Sequence, residues 1–595
     1  MRQNVIFLLK TYLWTVAVFT VAKLGFMLFC GHGLSATDVG QVVAHGLSLD
    51  LSTALYFLIV PFLVTMVSVW WDNGRVLRRL LTTYNALVAL AFALAFVADT
   101  SLYPFWGFKL DSSGLQYLST PGEATASVST GYLLVRLLAF IAVAAVIFWG
   151  YPRFPMPAAR KRRVAETVAY IICIPLMVIG IRGGIDESTT NIGQVYFSQN
   201  QFLNHSAVNP VFNFLYSLSH RLDTDNAYQF MEQSACDRLT EGVYTTESTD
   251  TDTLLTTQRP DIVIILLESC GELFANVMPR LQQLKQEGIW FSQCYGNSWR
   301  TDRGTVCTLS GYPSFPSLSV MKMPEKSGSL PGIARTLRQQ GYQTSYLYGG
   351  DINFTNMRSY LVATGWETLT WKNNYSREEQ NTAEWGVRDD ITFQTLFRQI
   401  TAPRTQRALF GYSTLSSHEP WDVPAKRYDD EVQNAFSYLD DCLGDFIDRL
   451  KQTPQWNNLL IVLVADHGIN YHDIDEQKPL LRNHIPLLMV GGAVREPRNV
   501  ATLCNQTDIC ATLLGQLALP HDDFRFSRDV LSASYRHPTA VHNYNNAQLL
   551  IDSTGYILYD FDASRVAAGE STDREQLLRL NKAILQTTTD DLINR

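Results

Sequence analysis

The pattern of apolar and polar positions divides the chain into two regimes. Up to about residue 182, apolar residues come in long runs. Beyond residue 258 they come in short runs separated by amphipathic stretches. Leu51–Trp71 and Leu80–Val97 contain no charged residue, and Thr11–Cys30 is interrupted only by Lys23. Leu133–Tyr151 and Val164–Ile181 each carry one charge near their start, Arg136 and Glu166. A helix crossing the hydrocarbon core needs about 20 mostly apolar residues. Residues 1–185 are therefore expected to form five transmembrane helices. The first is expected to stay as a span, because no small-residue cleavage site precedes the second.

Orientation follows from the Lys and Arg of the short loops. The second loop carries Arg75, Arg78 and Arg79, and the fourth carries Arg153, Arg160, Lys161, Arg162 and Arg163. Residues 31–50 have neither Lys nor Arg, and the third loop has only Lys109. Loops two and four are thus expected to be cytoplasmic, which puts everything after about residue 182 on the other side. Residues 186–257 read as a juxtamembrane connector. Its aromatics, such as Tyr196, Phe202, Phe212 and Tyr216, suit either the membrane surface or a packing segment. Ser248–Thr257 is Thr/Asp-rich and reads as a linker.

From residue 258 to 520 short apolar runs alternate with helical patterns. The strand candidates are Asp261–Leu267, Tyr342–Tyr348, Ala408–Leu415, Leu459–Ala465 and Ile485–Val490. Met278–Glu287, Leu330–Gln340 and Val432–Leu450 are helical candidates between them. This alternation predicts a doubly wound α/β domain with a parallel sheet. Such sheets bind ligands at the carboxyl ends of their strands. There the sequence supplies Glu268, then Gly349-Gly350-Asp351, then Ser416-Ser417-His418, then Asp466-His467-Gly468. Residues 521–595, with strand candidates at Ala540–His542 and Tyr556–Asp560, read as a C-terminal extension packing on this domain.

Charge sharpens the division. Charged residues make up 17% of the 595, against about 25% in an average soluble chain. The deficit is in the first 185 residues, which hold 14 Lys+Arg and 7 Asp+Glu; the remainder holds 34 and 49. A basic anchor thus precedes an acidic globular part. The net charge of −8 excludes a nucleic-acid binder of the usual basic kind. Seven of the nine cysteines lie beyond residue 186, where disulfides are chemically possible, and no CxxC pair occurs.

Carboxylates and imidazoles at one sheet edge suit a divalent ion, zinc, manganese or magnesium. Between the first two strand candidates lies Asn297-Ser-Trp-Arg-Thr301-Asp302-Arg303-Gly304-Thr305, followed by an apolar run that opens a helix. A hydroxyl at a helix start faces free N–H groups, a natural phosphate site. Metal coordination turns such a hydroxyl into a nucleophile. On local sequence alone, Thr301 reads rather as a helix cap.

In combination and order, Leu267-Glu268-Ser269, Arg300-Thr301-Asp302-Arg303-Gly304, Ser416-Ser417-His418 and Val464-Ala465-Asp466-His467-Gly468 resemble the lipoteichoic acid synthase branch of the sulfatase/alkaline phosphatase superfamily. A five-span anchor before an outward sulfatase-like domain is similar to that branch too. The resemblance implies that Glu268, Thr301, Asp466 and His467 bind one divalent metal ion and that Thr301 is the nucleophile. It implies substrate contacts from His418 and Arg303. Tyr348–Arg358 occupies the family's headgroup-binding stretch, where Asp351 and Arg358 match with one residue inserted. Thr355 or Asn356 stands where the family has a tryptophan. His484, just before the fifth strand candidate, is a further substrate-binding candidate. Asp508, in Asn505–Leu514, matches the superfamily's last core helix in a structural role.

By this resemblance the chain is a multi-pass protein of the bacterial inner membrane with its catalytic domain extracytoplasmic. It would move a phospho-headgroup, phosphoglycerol or similar, from a membrane phospholipid to an envelope glycan or lipid acceptor. Phosphoethanolamine transferases share the threonine and the anchor. A sulfatase or phosphodiesterase of the same fold would instead hydrolyse its ester, and a non-catalytic membrane scaffold would bind without turnover. Sulfate-ester hydrolysis is disfavoured because Cys307 lacks the Pro and Arg of the formylglycine motif.

Overall fold

The computed structural model describes residues 2–106, 109–111, 129–155, 162–219, 228–475, 477–561 and 563–595. Arg160 and Lys161 of the fourth loop fall outside them. The chain forms two compact units, Met1–Arg221 and Leu222–Arg595.

The first unit is built on α1 (Arg2–Cys30), α2 (Ala36–Val67), α3 (Gly74–Trp106), α4 (Thr130–Gly150) and α5 (Arg163–Arg182). All five are long and apolar enough to cross a membrane. α1, α2 and α3 begin well before their apolar runs. At the start of α2, the Ser35 hydroxyl accepts from the Asp38 N–H at 3.1 Å and the Asp38 carboxylate accepts from the Ser35 N–H at 2.9 Å, a capping box.

Lys23, the one charge in the first apolar run, is buried and neutralised. Its ammonium donates to Asp50 at 2.8 Å and to the Gly46 carbonyl at 2.7 Å, as a cation withdrawn from water requires. Asn209 also donates to Asp50, at 2.9 Å, and Phe202 stacks on Phe26 with ring centres 5.7 Å apart. This part of the connector is therefore a packing segment of the first unit.

The second unit holds an eight-stranded sheet. Its strands are β1 (Asp261–Leu267), β2 (Ile289–Phe291), β4 (Gln343–Tyr348), β5 (Thr368–Trp371), β6 (Ala408–Ser413), β7 (Leu459–Ala465), β8 (Leu487–Val490) and β9 (Arg498–Val500), in the order β5-β4-β6-β1-β7-β8-β2-β9. β3 (Cys294–Tyr295) and β10 (Cys504–Asn505) form a separate pair. β1 and β7 are buried throughout, as expected of strands covered on both faces. The helical candidates appear as Pro279–Leu284, Ile333–Gln339 and Glu431–Lys451.

The sheet is mixed, not wholly parallel. β5, β4, β6, β1 and β7 are parallel, but β8 runs antiparallel to both β7 and β2. The cause is the connection: among the described residues of 466–486 the helical segment is the short Pro479–Asn483. With no crossover helix to return the chain to the starting edge, it re-enters the sheet from the edge where β7 ended.

Register positions the chemistry. β1 and β7 pair from Asp261 opposite Leu459 to Leu267 opposite Ala465, so Glu268 and Asp466 leave the sheet side by side. Ser413 of β6 stands opposite both Leu266 and Tyr348, which brings the ends of β4 and β6 to the same edge.

The C-terminal extension forms β11 (Ala540–Asn543), β12 (Ala547–Asp552), β13 (Gly555–Asp560) and β14 (Arg565–Ser571), an antiparallel sheet in chain order. The final helix, Arg574–Asn594, covers one face through Leu577 and Ile584 against Leu550 and Ile557. β11 reaches the core: the Asn543 N–H donates to the Asn297 carbonyl at 2.9 Å, and its side-chain amide donates to the Ser314 carbonyl at 2.8 Å. These contacts bracket the segment bearing Thr301. All nine cysteines are unbridged. Asp508 is structural: its carboxylate accepts from the Arg528 guanidinium Nε and Nη2, both at 2.8 Å.

Candidate active site

Glu268, Thr301, Asp466 and His467 converge at the carboxyl edge of β1 and β7. Thr301 is the first residue of α6 (Thr301–Ser310). The cap position belongs to Arg300, which makes no side-chain cap hydrogen bond, so Thr301 does not cap the helix through its hydroxyl. That hydroxyl donates to Glu268 Oε2 at 3.1 Å and lies 3.4 Å from His467 Nε2.

The acidic and imidazole groups crowd around the same point. His467 Nε2 is 3.6 Å from Glu268 Oε1 and 3.5 Å from Asp466 Oδ2. One ligand atom from each of Glu268, Asp466 and His467 lies within 4.8 Å of the others, and all three residues are buried. Surrounding hydrogen bonds orient them. Asp466 Oδ1 accepts from the N–H groups of Ser269 and His467, both at 2.8 Å, while its Oδ2 is buried without a hydrogen-bond partner. His467 Nδ1 contacts the Gly468 carbonyl at 3.0 Å, which leaves Nε2 for the centre. Ser269 donates to Glu268 Oε1 at 2.7 Å, and the Glu268 N–H donates to Thr414 Oγ1 at 2.9 Å.

Electrostatics gives the cluster a need for positive charge. Burial, and then repulsion from Glu268, raise the Asp466 carboxyl well above its ordinary range. Burial opposes ionisation of Glu268 too, but the charges of His467 and His418 and the Ser269 hydroxyl outweigh it and hold Glu268 low. Burial disfavours the charged form of His467, yet Asp466 and Glu268 overcome it and raise its pKa. Two buried carboxylates, one of which keeps an oxygen without a donor, an imidazole nitrogen and a hydroxyl form a hard-donor set that fits a divalent metal ion.

Two residues missed in the sequence lock this arrangement. The Gln506 side-chain amide donates to the carbonyls of Ala465 at 3.0 Å, Asp466 at 2.8 Å and Gly304 at 3.3 Å. Asn297 accepts from the Ser314 N–H at 2.7 Å and donates to Asn505 Oδ1 at 2.6 Å. Their signal was weak, because a buried amide bonding to backbone has no spacing pattern.

The substrate-binding candidates divide. His418 follows β6, and its Nδ1 contacts the Glu419 carbonyl at 2.6 Å. The loop that presents it hangs on Asp389, which accepts from the Leu415 and Ser416 N–H groups, both at 2.9 Å. Asp351 follows β4 and accepts from the Asn353 N–H at 3.0 Å. Arg358 is largely buried; desolvation lowers its pKa and Asp351 opposes that shift. Indole rings do stand beside this stretch, supplied from later in the chain. Trp371 lies under the Arg358 guanidinium at 5.0 Å, and Trp385 is 4.7 Å from the His418 ring.

Arg303 and His484 are engaged elsewhere. Arg303 is buried, donates to the Phe315 carbonyl at 3.2 Å and sits 5.3 Å from the Trp299 ring. Separated by a single residue on a helix, Thr301 and Arg303 cannot share a face. His484 Nε2 contacts the Ser292 carbonyl at 3.1 Å, and its ring stacks on Tyr295 at 5.3 Å.

Comparison with known proteins agrees with this architecture. Residues 260–519 match the Sulfatase family. Phosphoglycerol transferase I of Xanthomonas euvesicatoria pv. vesicatoria is 24% identical over 304 residues, 46% of this chain and 43% of that protein. Phosphoglycerol transferase I of Salmonella choleraesuis is 26% identical over 223 residues, 33% of this chain and 28% of that protein. The chain thus spans less than half the length of these relatives. A protein of the alkaline phosphatase superfamily from Vibrio parahaemolyticus superposes with a TM-score of 0.54 at 24% identity, covering 62% of this chain and 97% of that one. The lipoteichoic acid synthase LtaP from Listeria monocytogenes superposes with a TM-score of 0.51 at 18% identity, covering 60% and 98%. Residues 260–519 thus form a domain that matches the Sulfatase family and has the fold of these two structures.

Proposed function

We propose that the chain is a membrane-anchored, metal-dependent phosphotransferase that uses Thr301 as its nucleophile. The observation that carries this is the Thr301 hydroxyl, 3.1 Å from Glu268 and 3.4 Å from His467 at the start of a helix. A divalent ion held by Glu268, Asp466, His467 and the Thr301 oxygen would supply Lewis acidity, lowering the hydroxyl's pKa and neutralising phosphoryl charge.

The chain's own groups do the rest. Glu268, hydrogen-bonded to the hydroxyl, stands where the Thr301 proton leaves. Thr301 Oγ1 attacks the phosphorus of a phospholipid headgroup, the bond to the diacylglycerol oxygen breaks, and a phospho-threonine ester forms. The first turn of α6 offers free N–H groups and the positive end of the helix to the phosphoryl oxygens. His418, which follows β6 at the same sheet edge as Glu268, would bind a phosphoryl oxygen. Trp371 and Trp385 bring indoles to the headgroup stretch around Arg358 and Asp351. An acceptor hydroxyl of an envelope glycan or lipid then takes the group and frees Thr301.

The basic second and fourth loops support an extracytoplasmic catalytic domain. The names of the phosphoglycerol transferase relatives support phosphoglycerol as the group moved. Mass spectrometry of the Thr301 peptide, after incubating the full chain with phosphatidylglycerol and phosphatidylethanolamine in parallel, tests the headgroup and the covalent route. We expect a phosphoglycerol adduct. A phosphoethanolamine adduct would reassign the headgroup, and no adduct with either lipid would refute the covalent route. If water replaces the acceptor, free glycerol phosphate appears and the enzyme is a phosphodiesterase.

A further inference from the structure

The first unit contains a groove that the proposed chemistry does not use. It has a volume of 480 Å³ and runs along α1, α3 and α4. Val18, Gly25 and Phe29 of α1, Val97 of α3 and Val143 of α4 help to line it, and among the described residues Arg136 is the one charged group lining it. The space is open at atomic scale: a Cβ built on Gly25 meets no atom within 4 Å.

Arg136 is half-buried and stands apart from the two lysines buried in this bundle. Lys23 is paired with Asp50, and Lys109 with Asp99. Among the described residues Arg136 meets no carboxylate; its guanidinium lies 4.9 Å from the Tyr132 ring. It sits about 9 Å along α4 from Thr130, at 1.5 Å per residue. A cation at that depth in a spanning helix is costly unless an anion accompanies it. The bundle supplies anions to these two buried lysines and leaves this arginine facing an apolar trough.

We infer that the groove binds one phospholipid of the bilayer, with an acyl chain along the α1–α4 trough and an anionic phosphodiester headgroup at Arg136. An arginine fork matches phosphate geometry, and the apolar walls remove acyl methylenes from competing contacts. The inference does not depend on the reaction at Thr301.

The test is native mass spectrometry of the full chain in mild detergent, with equimolar phosphatidylglycerol and phosphatidylcholine of identical acyl chains. We expect one retained lipid, with phosphatidylglycerol favoured by about ten-fold, the scale of one charged hydrogen bond. Arg136→Gln should abolish the preference, while Arg136→Lys should keep most of it. Gly25→Leu fills the trough without changing charge and favours helix formation, so it should reduce retention of both lipids. Equal retention of the two lipids by the native chain, an unchanged preference in Arg136→Gln, or unchanged retention in Gly25→Leu would each overturn the site.

Discussion

A Cβ on Gly304 would stand 2.0 Å from the carbonyl oxygen of Asp466. This contact fixes the distance between α6 and the end of β7, and with it the distance from the Thr301 hydroxyl to the acidic cluster. The glycine in Arg300–Gly304 is therefore a spacing device, needed because no larger residue lets helix and strand approach so closely.

Gly304→Ala tests this directly. The added methyl meets backbone, which cannot swing away, so α6 must move off β7. Overpacking of this kind costs about 1–3 kcal/mol. We expect a lowered melting temperature and loss of most activity in the fraction that stays folded. Unchanged turnover in a stable Gly304→Ala protein would show that the helix position is not critical.

Asp466 Oδ2 is buried without a hydrogen-bond partner, an arrangement that costs stability unless a cation answers it. Asp466→Asn with His467→Ala removes an anionic ligand and the imidazole together. Metal analysis after chelator treatment and reloading should find one divalent ion per native chain and none in the double variant. Activity should vanish while the five helices still insert. A double variant that retained stoichiometric metal would disprove the ligand set.

Some of this is legible in the sequence alone. β1 and β7 can be read to the residue because each is a continuous apolar run buried on both faces. Their shared edge then makes Glu268 and Asp466 neighbours. The three-residue strands β2 and β9 and the half-buried β5 leave no comparable trace, since three or four residues carry too little periodicity. The direction of β8 depends on the path of residues 466–486, which no local pattern encodes. Arg303 matches a motif, yet its position two residues after Thr301 turns it into the interior. The indoles of Trp371 and Trp385 come from segments after the headgroup stretch, where sequence comparison with that stretch does not reach.

Charge in the short loops gives a test of topology. Arg75, Arg78 and Arg79 of the second loop oppose a first loop without Lys or Arg. Protease added outside intact spheroplasts should digest residues 222–595. Protection until lysis would reverse the orientation and remove envelope acceptors from consideration.

Thr301 separates catalysis from stability. Its hydroxyl donates to Glu268 at 3.1 Å and lies 3.4 Å from His467 Nε2, and Arg300 rather than Thr301 occupies the helix cap. Thr301→Ala should therefore cost only about 0.5–1.5 kcal/mol, the net value of one hydrogen bond. Turnover should nonetheless fall by several orders of magnitude, because the covalent route needs that oxygen. Thr301→Ser keeps the oxygen and should retain part of the activity and the phosphorylated peptide. Melting temperature, turnover and adduct mass measured on one preparation of each variant decide the matter. If Thr301→Ala turned over at near the native rate, the nucleophile would have to be sought elsewhere.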